Sequence, residues 1–282
     1  MGFRLVKYKC QICEFHKNKV IHSEIFNDDK FEYSICKRCS FISQTNCHSK
    51  EKYLNLPYQT QNNYDEHSKN RAEYIHDFSQ EYLGYNMDVF DIGCSRGGVM
   101  KYFKELVPDT TISGCTVLGK NEKVISKDLN IINQDFDYIM FNKKYDFIIM
   151  SHILEHFTDL RKTLVKLKTI MRKSSKVYIE VPYIDYLRVR LSFEFSPEHI
   201  SYFTPHSLKN LLVSEGFKIL KIKDSKYWGN IKVIASFDNS KEKIVFTKRK
   251  YYLFYIVEKF LKRTTHWFYR TKLKYFNINS NG

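Results

Sequence analysis

The feature that most constrains the fold is a short glycine-rich stretch, VFDIGCSRGG, at residues 89–98. Glycine lets a chain turn sharply out of a strand and lets the next helix pack closely against it. Apolar strands and amphipathic helices then alternate through TISGCTV, KNEKVISKDL, YDFIIMSHI, TDLRKTLVKLKTIMRK and KVYIEVP. This alternation predicts an α/β fold whose parallel sheet is covered on both faces and binds its ligand beyond the carboxyl ends of the strands.

The glycine stretch differs from the dinucleotide-binding pattern G-x-G-x-x-G. Gly93 is followed by cysteine, by Ser95 and by arginine before the chain reaches Gly97. Asp91 stands two residues before the first glycine, where a carboxylate would repel a pyrophosphate. The helix that follows still offers unpaired N–H groups to a ligand. NAD binding is therefore disfavoured.

Two CxxC pairs near the front of the chain predict a metal site. Residues 10–39 follow C-x2-C-x22-C-x2-C, formed by Cys10, Cys13, Cys36 and Cys39. Four thiolates suit tetrahedral Zn²⁺, and a closed site of this kind is structural. The strand-like runs IHSEIF and KFEYSI predict a hairpin between the pairs. A redox dithiol, a metal-free cluster, and substitution by the nearby Cys47-His48 are the alternatives.

Charge is concentrated at the two ends of the chain. The formal net charge is +15, yet residues 241–282 carry eleven Lys/Arg and only two acidic residues. A protein that follows a phosphate backbone would concentrate cations on its working domain, so nucleic acid is an unfavoured partner. No apolar run approaches the roughly 20 residues that span a bilayer, and no signal-peptide core follows the basic N-terminus, so we expect a cytoplasmic protein.

From the glycine stretch onward, five landmarks resemble class I S-adenosylmethionine-dependent methyltransferases. DIGCSRG resembles their first motif, QDF the segment after the third strand, and YDFIIMSHILEHF the fourth strand and its exit; KVYIEVP and the final GFKILKIKD and NIKVIASF complete the series. The resemblance implies a Rossmann-like sheet, parallel with an antiparallel terminal hairpin, and S-adenosylmethionine as cofactor. It divides the chain into a zinc-ribbon-like module (1–50), a linker and helix (51–84), a methyltransferase domain (85–240) and a basic aromatic tail (241–282).

The resemblance also implies cofactor contacts. Thr116 stands where the family usually has a ribose-binding acid, so Asn121 or Glu122 is expected to take over or binding to be weaker. Asp135 would bind the adenine amino group, Phe136 would flank the ring, and Arg71, with Tyr58 and Tyr64 near it, would close over the methionine end. The full set of expected cofactor contacts is Asp91, Gly93, Cys94, Ser95, Gly97, Thr116, Asp135, Phe136, Ser151 and Arg71.

The zinc head together with LEHF and EHISYFTP is similar to methyltransferases that modify nucleotide-linked sugars or surface polysaccharides. The fullest members, the sugar C-methyltransferases, carry a further C-terminal domain that this sequence lacks, so transfer to oxygen is favoured. Glu155, His156 and His199 are the candidates to orient or deprotonate a small-molecule or glycan acceptor. Each also has a structural alternative, as a helix cap or a packed histidine, and His152 is a weaker candidate. Methylation of tRNA or rRNA and a non-catalytic partner protein are the alternative functions.

The tail at residues 248–274 mixes bulky aromatics with cations. A helix of this composition can lie in the headgroup layer, with its cations toward anionic lipid, which would place the protein at the inner face of the membrane. The competing predictions are packing on the domain, homodimerisation through the tail, and RNA binding.

Overall fold

The computed structural model describes residues 5–6, 9–26, 28–45, 64–119, 123–184, 195–225 and 229–238. The predictions for Tyr58, for Cys47-His48, for Asn121 and Glu122, and for the tail all fall outside these residues. None of the helices in the described ranges has the length and apolar character needed to cross a membrane.

The helices and strands alternate largely as the sequence predicts. In chain order they are β1 (Leu5–Val6), β2 (Asn18–Phe26), β3 (Asp29–Cys36), β4 (Ile42–Gln44), α1 (Tyr64–Ser79), β5 (Asp88–Ile92), α2 (Gly98–Leu106), β6 (Thr111–Thr116), β7 (Asn130–Asn133), β8 (Tyr145–Ser151), α3 (Leu160–Thr169), β9 (Met171–Pro182), β10 (Ser201–Tyr202), α4 (Pro205–Ser214), β11 (Phe217–Ser225) and β12 (Asn230–Phe237). Short 3₁₀ turns cover Gln80–Tyr82, Phe136–Tyr138 and Leu154–His156.

The larger sheet has seven strands in the order β11-β12-β9-β8-β5-β6-β7. The strands from β9 to β7 are parallel to one another, and β12 and β11 complete the sheet as an antiparallel pair. This confirms the predicted Rossmann-like sheet with its terminal hairpin. The first strand, β5, lies between β6 and β8, so the chain reverses its winding there and opens a crevice at the carboxyl ends.

Both faces of this sheet are buried because successive side chains point to opposite sides. Val89 of β5 packs with α1 and α2, in a cluster that also contains Ile75 and Phe103. The next residue, Phe90, packs in the opposite cluster with the buried residues of α3 and α4, among them Leu164. Strands covered on both faces read as nearly continuous apolar runs, which explains sequences such as FIIM in β8.

One predicted helix is wrong. KNEKVISKDL was expected to be helical, but the part that the structure describes, residues 123–129, forms bends and turns. The Ser126 hydroxyl accepts a hydrogen bond from the Asp128 N–H, a local bond that competes with helix formation. The Ile125 N–H donates to the Arg96 carbonyl at 2.9 Å, which ties this segment to the glycine stretch.

The smaller sheet belongs mainly to the N-terminal residues and is antiparallel, in the order β1-β2-β3-β4-β10. β2 and β3 form the hairpin that the sequence predicts between the two CxxC pairs. Its last strand, β10, comes from more than 150 residues further along the chain and pairs Ser201 with Ser43 and Tyr202 with Ile42. The N-terminal module, residues 9–45 of the described chain and called the head below, is thus completed by a segment of the larger domain.

A second contact joins the head to the larger sheet. The Arg161 guanidinium on α3 donates to the Gln11 and Ile12 carbonyls, both at 2.8 Å. The Gln11 side chain in turn accepts from the Leu160 N–H at 2.8 Å and donates to the Thr158 carbonyl at 3.1 Å. The head and the α3 face of the sheet consequently share one hydrophobic cluster.

We expect Gly93→Ala to destabilise the protein by about 2–4 kcal/mol. Gly93 has a φ of +80°, and an added Cβ would lie 2.6 Å from Cγ1 and 2.9 Å from Cβ of Ile153. Gly229→Ala is the matched control, because Gly229 has a φ of +68° and its Cβ would meet nothing within 4 Å. Denaturant unfolding should give a loss of only about 1 kcal/mol for the control. Equal losses in the two variants would contradict the packing argument.

Candidate functional site

The four cysteines of the head come together as one buried cluster. Their sulfurs all lie within 4.8 Å of one another, and the Cys10–Cys39 and Cys13–Cys36 sulfur pairs are each 3.5 Å apart. These separations exclude disulfides, whose sulfurs are about 2.05 Å apart. Sulfurs placed about 2.3 Å from a tetrahedral ion are separated by about 3.8 Å. The donor set and its spacing therefore fit Zn²⁺.

The two CxxC pairs have the same backbone turn. The residue after the second cysteine is left-handed in both, with a φ of 57° at Glu14 and 62° at Ser40. Its N–H donates at 2.9 Å to the carbonyl of the first cysteine, Cys10 or Cys36. The repeated turn directs each cysteine pair toward a common point, as a four-sulfur site requires.

The glycine stretch forms a turn between the carboxyl end of β5 and the start of α2. Gly93, Ser95 and Gly97 all have positive φ, of 80°, 49° and 90°. Ser95 thus adopts, at some conformational cost, the backbone that glycine adopts freely. The Gly93 and Cys94 N–H groups both donate to the Cys115 carbonyl and hold the turn against β6. The Cys94 side chain is buried.

Asp91 is buried near the end of β5, beneath this turn. Burial raises the pKa of its carboxyl group to about 7, and the positive charge of Arg71 on α1 partly opposes that rise. A buried carboxylate with a raised pKa is stabilised by a bound cation. Tyr64, at the start of α1, accepts a hydrogen bond from the Gly98 N–H at 3.2 Å, so α1 covers the turn.

The residues expected at the adenosine end are spread over the ends of β6 and β7. Thr116 ends β6 and is paired in register with Asn133 of β7. The Asp135 carboxylate accepts a hydrogen bond from the Asp137 N–H at 2.9 Å and caps a 3₁₀ turn. Phe136 is 3% exposed and packs in the hydrophobic core with Phe157. Their roles toward adenine and ribose stay predictions.

A buried carboxylate that the sequence analysis missed, Glu180, occupies the end of β9. It accepts hydrogen bonds from the Ser151 hydroxyl at 3.0 Å, the Tyr178 hydroxyl at 2.9 Å and the Asn230 amide at 2.9 Å. Burial alone would raise its pKa, but the neighbouring His152 and the positive charges of Lys232 and Arg71 lower the pKa of Glu180 to about 2. The one signal in the sequence is a single acid within the apolar run VYIEVP.

His152 lies between two buried carboxylates at the exit of β8. Its Nδ1 is 3.6 Å from Oε1 of Glu155, and its Nε2 is 3.8 Å from Oε1 of Glu180. Burial alone would lower its pKa, but electrostatic attraction to these two carboxylates raises the pKa of His152 above its ordinary value. Its φ of +52° is a strained conformation for histidine, of the kind that clusters at functional sites.

The three residues expected to handle the acceptor lie close together. Glu155, His156 and His199 each present a ligand atom, and these atoms lie within 4.8 Å of one another. Glu155 is fully buried, and within the described part of the chain neither of its carboxylate oxygens has a hydrogen-bond partner. His156 Nδ1 is 2.9 Å from the Glu198 carbonyl, and burial lowers the pKa of His199 to about 4.

The head holds the segment that carries His199. Gln44, the last residue of β4, donates from its backbone N–H to the Ile200 carbonyl at 2.9 Å and from its side chain to the Pro197 carbonyl at 2.7 Å. The Ile200 N–H donates to the Glu155 carbonyl at 2.9 Å. The head, the His199 segment and the exit of β8 are therefore linked by direct hydrogen bonds.

Comparison with known proteins agrees with this geometry. A family model described as a methyltransferase domain matches residues 48–222. The (S)-tetrahydroprotoberberine N-methyltransferase of Eschscholzia californica is 26% identical over 100 residues, which cover 33% of this chain and 29% of that protein. The chain thus aligns with less than a third of the length of the curated relatives it matches, 28% in one case and 29% in another.

Solved structures are similar in fold. A protein from Pyrococcus horikoshii OT3 superposes with a TM-score of 0.52 at 16% identity and covers 67% of this chain and 99% of its own. The plantazolicin methyltransferase BpumL, solved with SAH and a desmethyl analogue, gives 0.50 at 14% identity, with 66% of this chain and 90% of its own covered. Because the family model accounts for more than half of the sequence, this chain belongs to the methyltransferase domain family.

Proposed function

We propose that the protein transfers a methyl group from S-adenosylmethionine to a hydroxyl of a sugar, a nucleotide-sugar or a surface-polysaccharide precursor. The main support for this proposal is that the expected cofactor site and the expected acceptor site lie at the same edge of the larger sheet. The turn above Asp91 follows β5, and the cluster of Glu155, His156 and His199 lies beyond the exit of the neighbouring parallel strand β8. Carboxyl ends of adjacent parallel strands meet at the same edge, so cofactor and acceptor can be held side by side.

The residues around the turn fit this cofactor, whose sulfonium supplies the activated methyl group. Asp91 offers a buried carboxylate whose raised pKa favours a cationic ligand. The left-handed backbone at Ser95 and Gly97 lets the chain turn sharply between β5 and α2, whose first N–H groups would then be available to the cofactor. Arg71 would pair with the methionine carboxylate, and Thr116 would hydrogen-bond to a ribose hydroxyl.

The cluster beyond β8 would handle the acceptor. His156 is held by its bond to the Glu198 carbonyl, and His199 is held by the head through Gln44 and Ile200. Side chains fixed in this way can orient an acceptor oxygen for in-line displacement and take up its proton. The contact between the head and this cluster supports a glycan acceptor, since a zinc head in this position is the feature that resembles sugar-modifying methyltransferases.

Transfer to an amine is the second candidate. Glu155 and Glu180 are both buried at the site, 0% and 4% exposed, and two carboxylates there would attract a cationic amino group. The curated relatives are named as N-methyltransferases, which is in line with this alternative. A set of nucleotide-sugar acceptors that differ only in a hydroxyl or an amino group at one carbon would separate the two by relative turnover.

We also propose that the four-cysteine cluster holds a structural zinc ion. The ion would fix the two CxxC turns, and through β4 it would hold the His199 segment in place. It would thus act on the reaction only through the position of that segment.

His156→Ala and His199→Ala should each lower turnover by about 100-fold or more while S-adenosylhomocysteine binds within a few-fold of its original affinity. Both side chains belong to the cluster beyond β8, whereas the proposed cofactor site is the turn that follows β5. Isothermal titration and methyl-transfer rates would be measured together, with His76→Ala on α1 as the control. Full turnover in both variants would remove these histidines from the mechanism, and absence of any binding of the nucleoside to the original protein would reject the proposed function.

Cys39→Ser should lower the zinc content by about one ion per chain and lower the melting temperature by about 10 °C or more. The head shares its hydrophobic cluster with the larger sheet, so loosening it exposes part of that core. Cys115→Ser is the matched control, because Cys115 is buried but lies outside the four-cysteine cluster. Metal analysis and thermal unfolding provide the measurements; unchanged zinc content in Cys39→Ser would refute the site.

Glu180→Gln should flatten the dependence of stability on acid pH. The pKa of Glu180 is lowered to about 2 in the folded protein. The ionised carboxylate therefore makes its full contribution to the free energy of unfolding above about pH 4.5, and this contribution is lost as the pH falls toward 2. Between pH 5.5 and pH 3 the original protein should lose about 2 kcal/mol more unfolding free energy than the Gln variant. Urea unfolding at both pH values measures this, and parallel losses would show that Glu180 is not held ionised.

A further inference from the structure

Glu155 is a buried carboxylate without its normal partners. The side chain is fully buried, and within the described residues neither oxygen accepts a hydrogen bond. A buried charge is costly unless it is paired and hydrogen-bonded or binds a metal. The positions of the neighbouring side chains indicate which kind of ligand this carboxylate can bind.

Two imidazoles are arranged around this carboxylate. His156 Nδ1 faces the Glu198 carbonyl at 2.9 Å, so Nδ1 must carry the proton and donate it. Nε2 then keeps its lone pair, and it lies 3.9 Å from Oε1 of Glu155. Histidines that bind metals usually donate their other N–H to a carbonyl or carboxylate in this way. The His199 ring stands nearly perpendicular to the His156 ring, with centroids 4.9 Å apart.

We propose that Glu155, His156 and His199 form a binding site for a divalent transition-metal ion, separate from the four-cysteine cluster. Two imidazoles and one carboxylate are a ligand set that suits Zn²⁺, Mn²⁺ and their neighbours. The three ligand atoms lie within 4.8 Å of one another, whereas ligands about 2.1 Å from one ion are about 3.0–3.5 Å apart. Binding must therefore draw the side chains together by roughly 1 Å, which rotation about their χ angles can supply.

The competing partner for Glu155 is a protonated His152. Its Nδ1 is 3.6 Å from Oε1 of Glu155, but its Nε2 also faces Glu180 and the Asn230 amide. Glu180 has a second cation nearby, because Lys232 Nζ lies 3.9 Å from its Oε1. The 3.6 Å contact of His152 with Glu155 is longer than a hydrogen bond, so it still leaves both Glu155 oxygens without a donor. A divalent ion would balance Glu155, and His152 would then be left to pair with Glu180.

Such a site would bind the acceptor directly. Three protein ligands leave coordination positions open, and a hydroxyl or amino group of the acceptor can fill one of them. The three side chains would then act on the acceptor through the ion. This role of the ion in methyl transfer depends on the proposed function, whereas the binding of the ion by the three side chains does not.

The test uses the full-length protein loaded with one equivalent of zinc per chain, which occupies the four-cysteine cluster and leaves the proposed site free. Mn²⁺ is the probe, because it favours oxygen and nitrogen ligands over thiolates and does not displace zinc from four thiolates. Titration followed by electron paramagnetic resonance should show one Mn²⁺ bound per chain. Glu155→Gln, which keeps the shape of the side chain, and His199→Ala should each weaken binding by at least about tenfold. Glu180→Gln is the matched control and should keep the affinity within about threefold.

Absence of Mn²⁺ binding in the original protein, or equal affinity in Glu155→Gln and in Glu180→Gln, would overturn the inference. Zinc content and thermal unfolding would be recorded for every variant, and if Glu155→Gln fails to fold, His199→Ala decides the result. S-adenosylhomocysteine binding would be measured in the same samples. Loss of nucleoside binding with Mn²⁺ binding intact would reject the proposed function and leave the ion site standing, and the reverse result would reject the ion site alone.

Discussion

The pairing of β10 with β4 is the contact on which the arrangement of the site depends. Ser201 and Tyr202 form the last strand of the head sheet, and His199 lies two residues before them. The bonds from Gln44 to the Pro197 and Ile200 carbonyls extend this pairing toward the cluster. Because an isolated two-residue strand has almost no stability of its own, the position of His199 is set by the head. A metal that fixed the head would thereby act on the proposed reaction at a distance.

The topology of the larger sheet explains why so many charged groups meet at one edge. β5, β8 and β9 are adjacent and parallel, so Asp91, His152 and Glu180 lie at neighbouring carboxyl ends. Asp91 and Glu180 are buried and His152 is partly buried, and the pKa of each departs from its ordinary value through a different balance of burial and neighbouring charge. Clustering of perturbed groups at a strand-end crevice is typical of sites that bind and transform a ligand.

The sequence predicted the parts of this structure that local pattern controls. Strand runs, the CxxC turns and the glycine stretch each have a short-range signature, and the structure confirms the sheet that they imply. Residues 123–129 were wrongly assigned to a helix, because a serine hydroxyl and the Arg96 carbonyl take the bonds that a helix would use. Glu180 and Asn230 were missed because they meet only through the antiparallel register of β9 and β12. Register depends on pairing between distant segments, which no local pattern reports.

Glu155 and Glu180 are two buried acids with different hydrogen-bonding environments. Both are carboxylates buried beside His152, at the exits of neighbouring strands. Glu180 is satisfied by two hydroxyls and an amide, so it is a fixed part of the scaffold. The Glu155 carboxylate has His152 and His156 nitrogens 3.6 and 3.9 Å away, and neither of its oxygens accepts a hydrogen bond from any described residue. A protein keeps such an unsatisfied charge at a cost in stability, and that cost is recovered when a ligand supplies the missing positive charge.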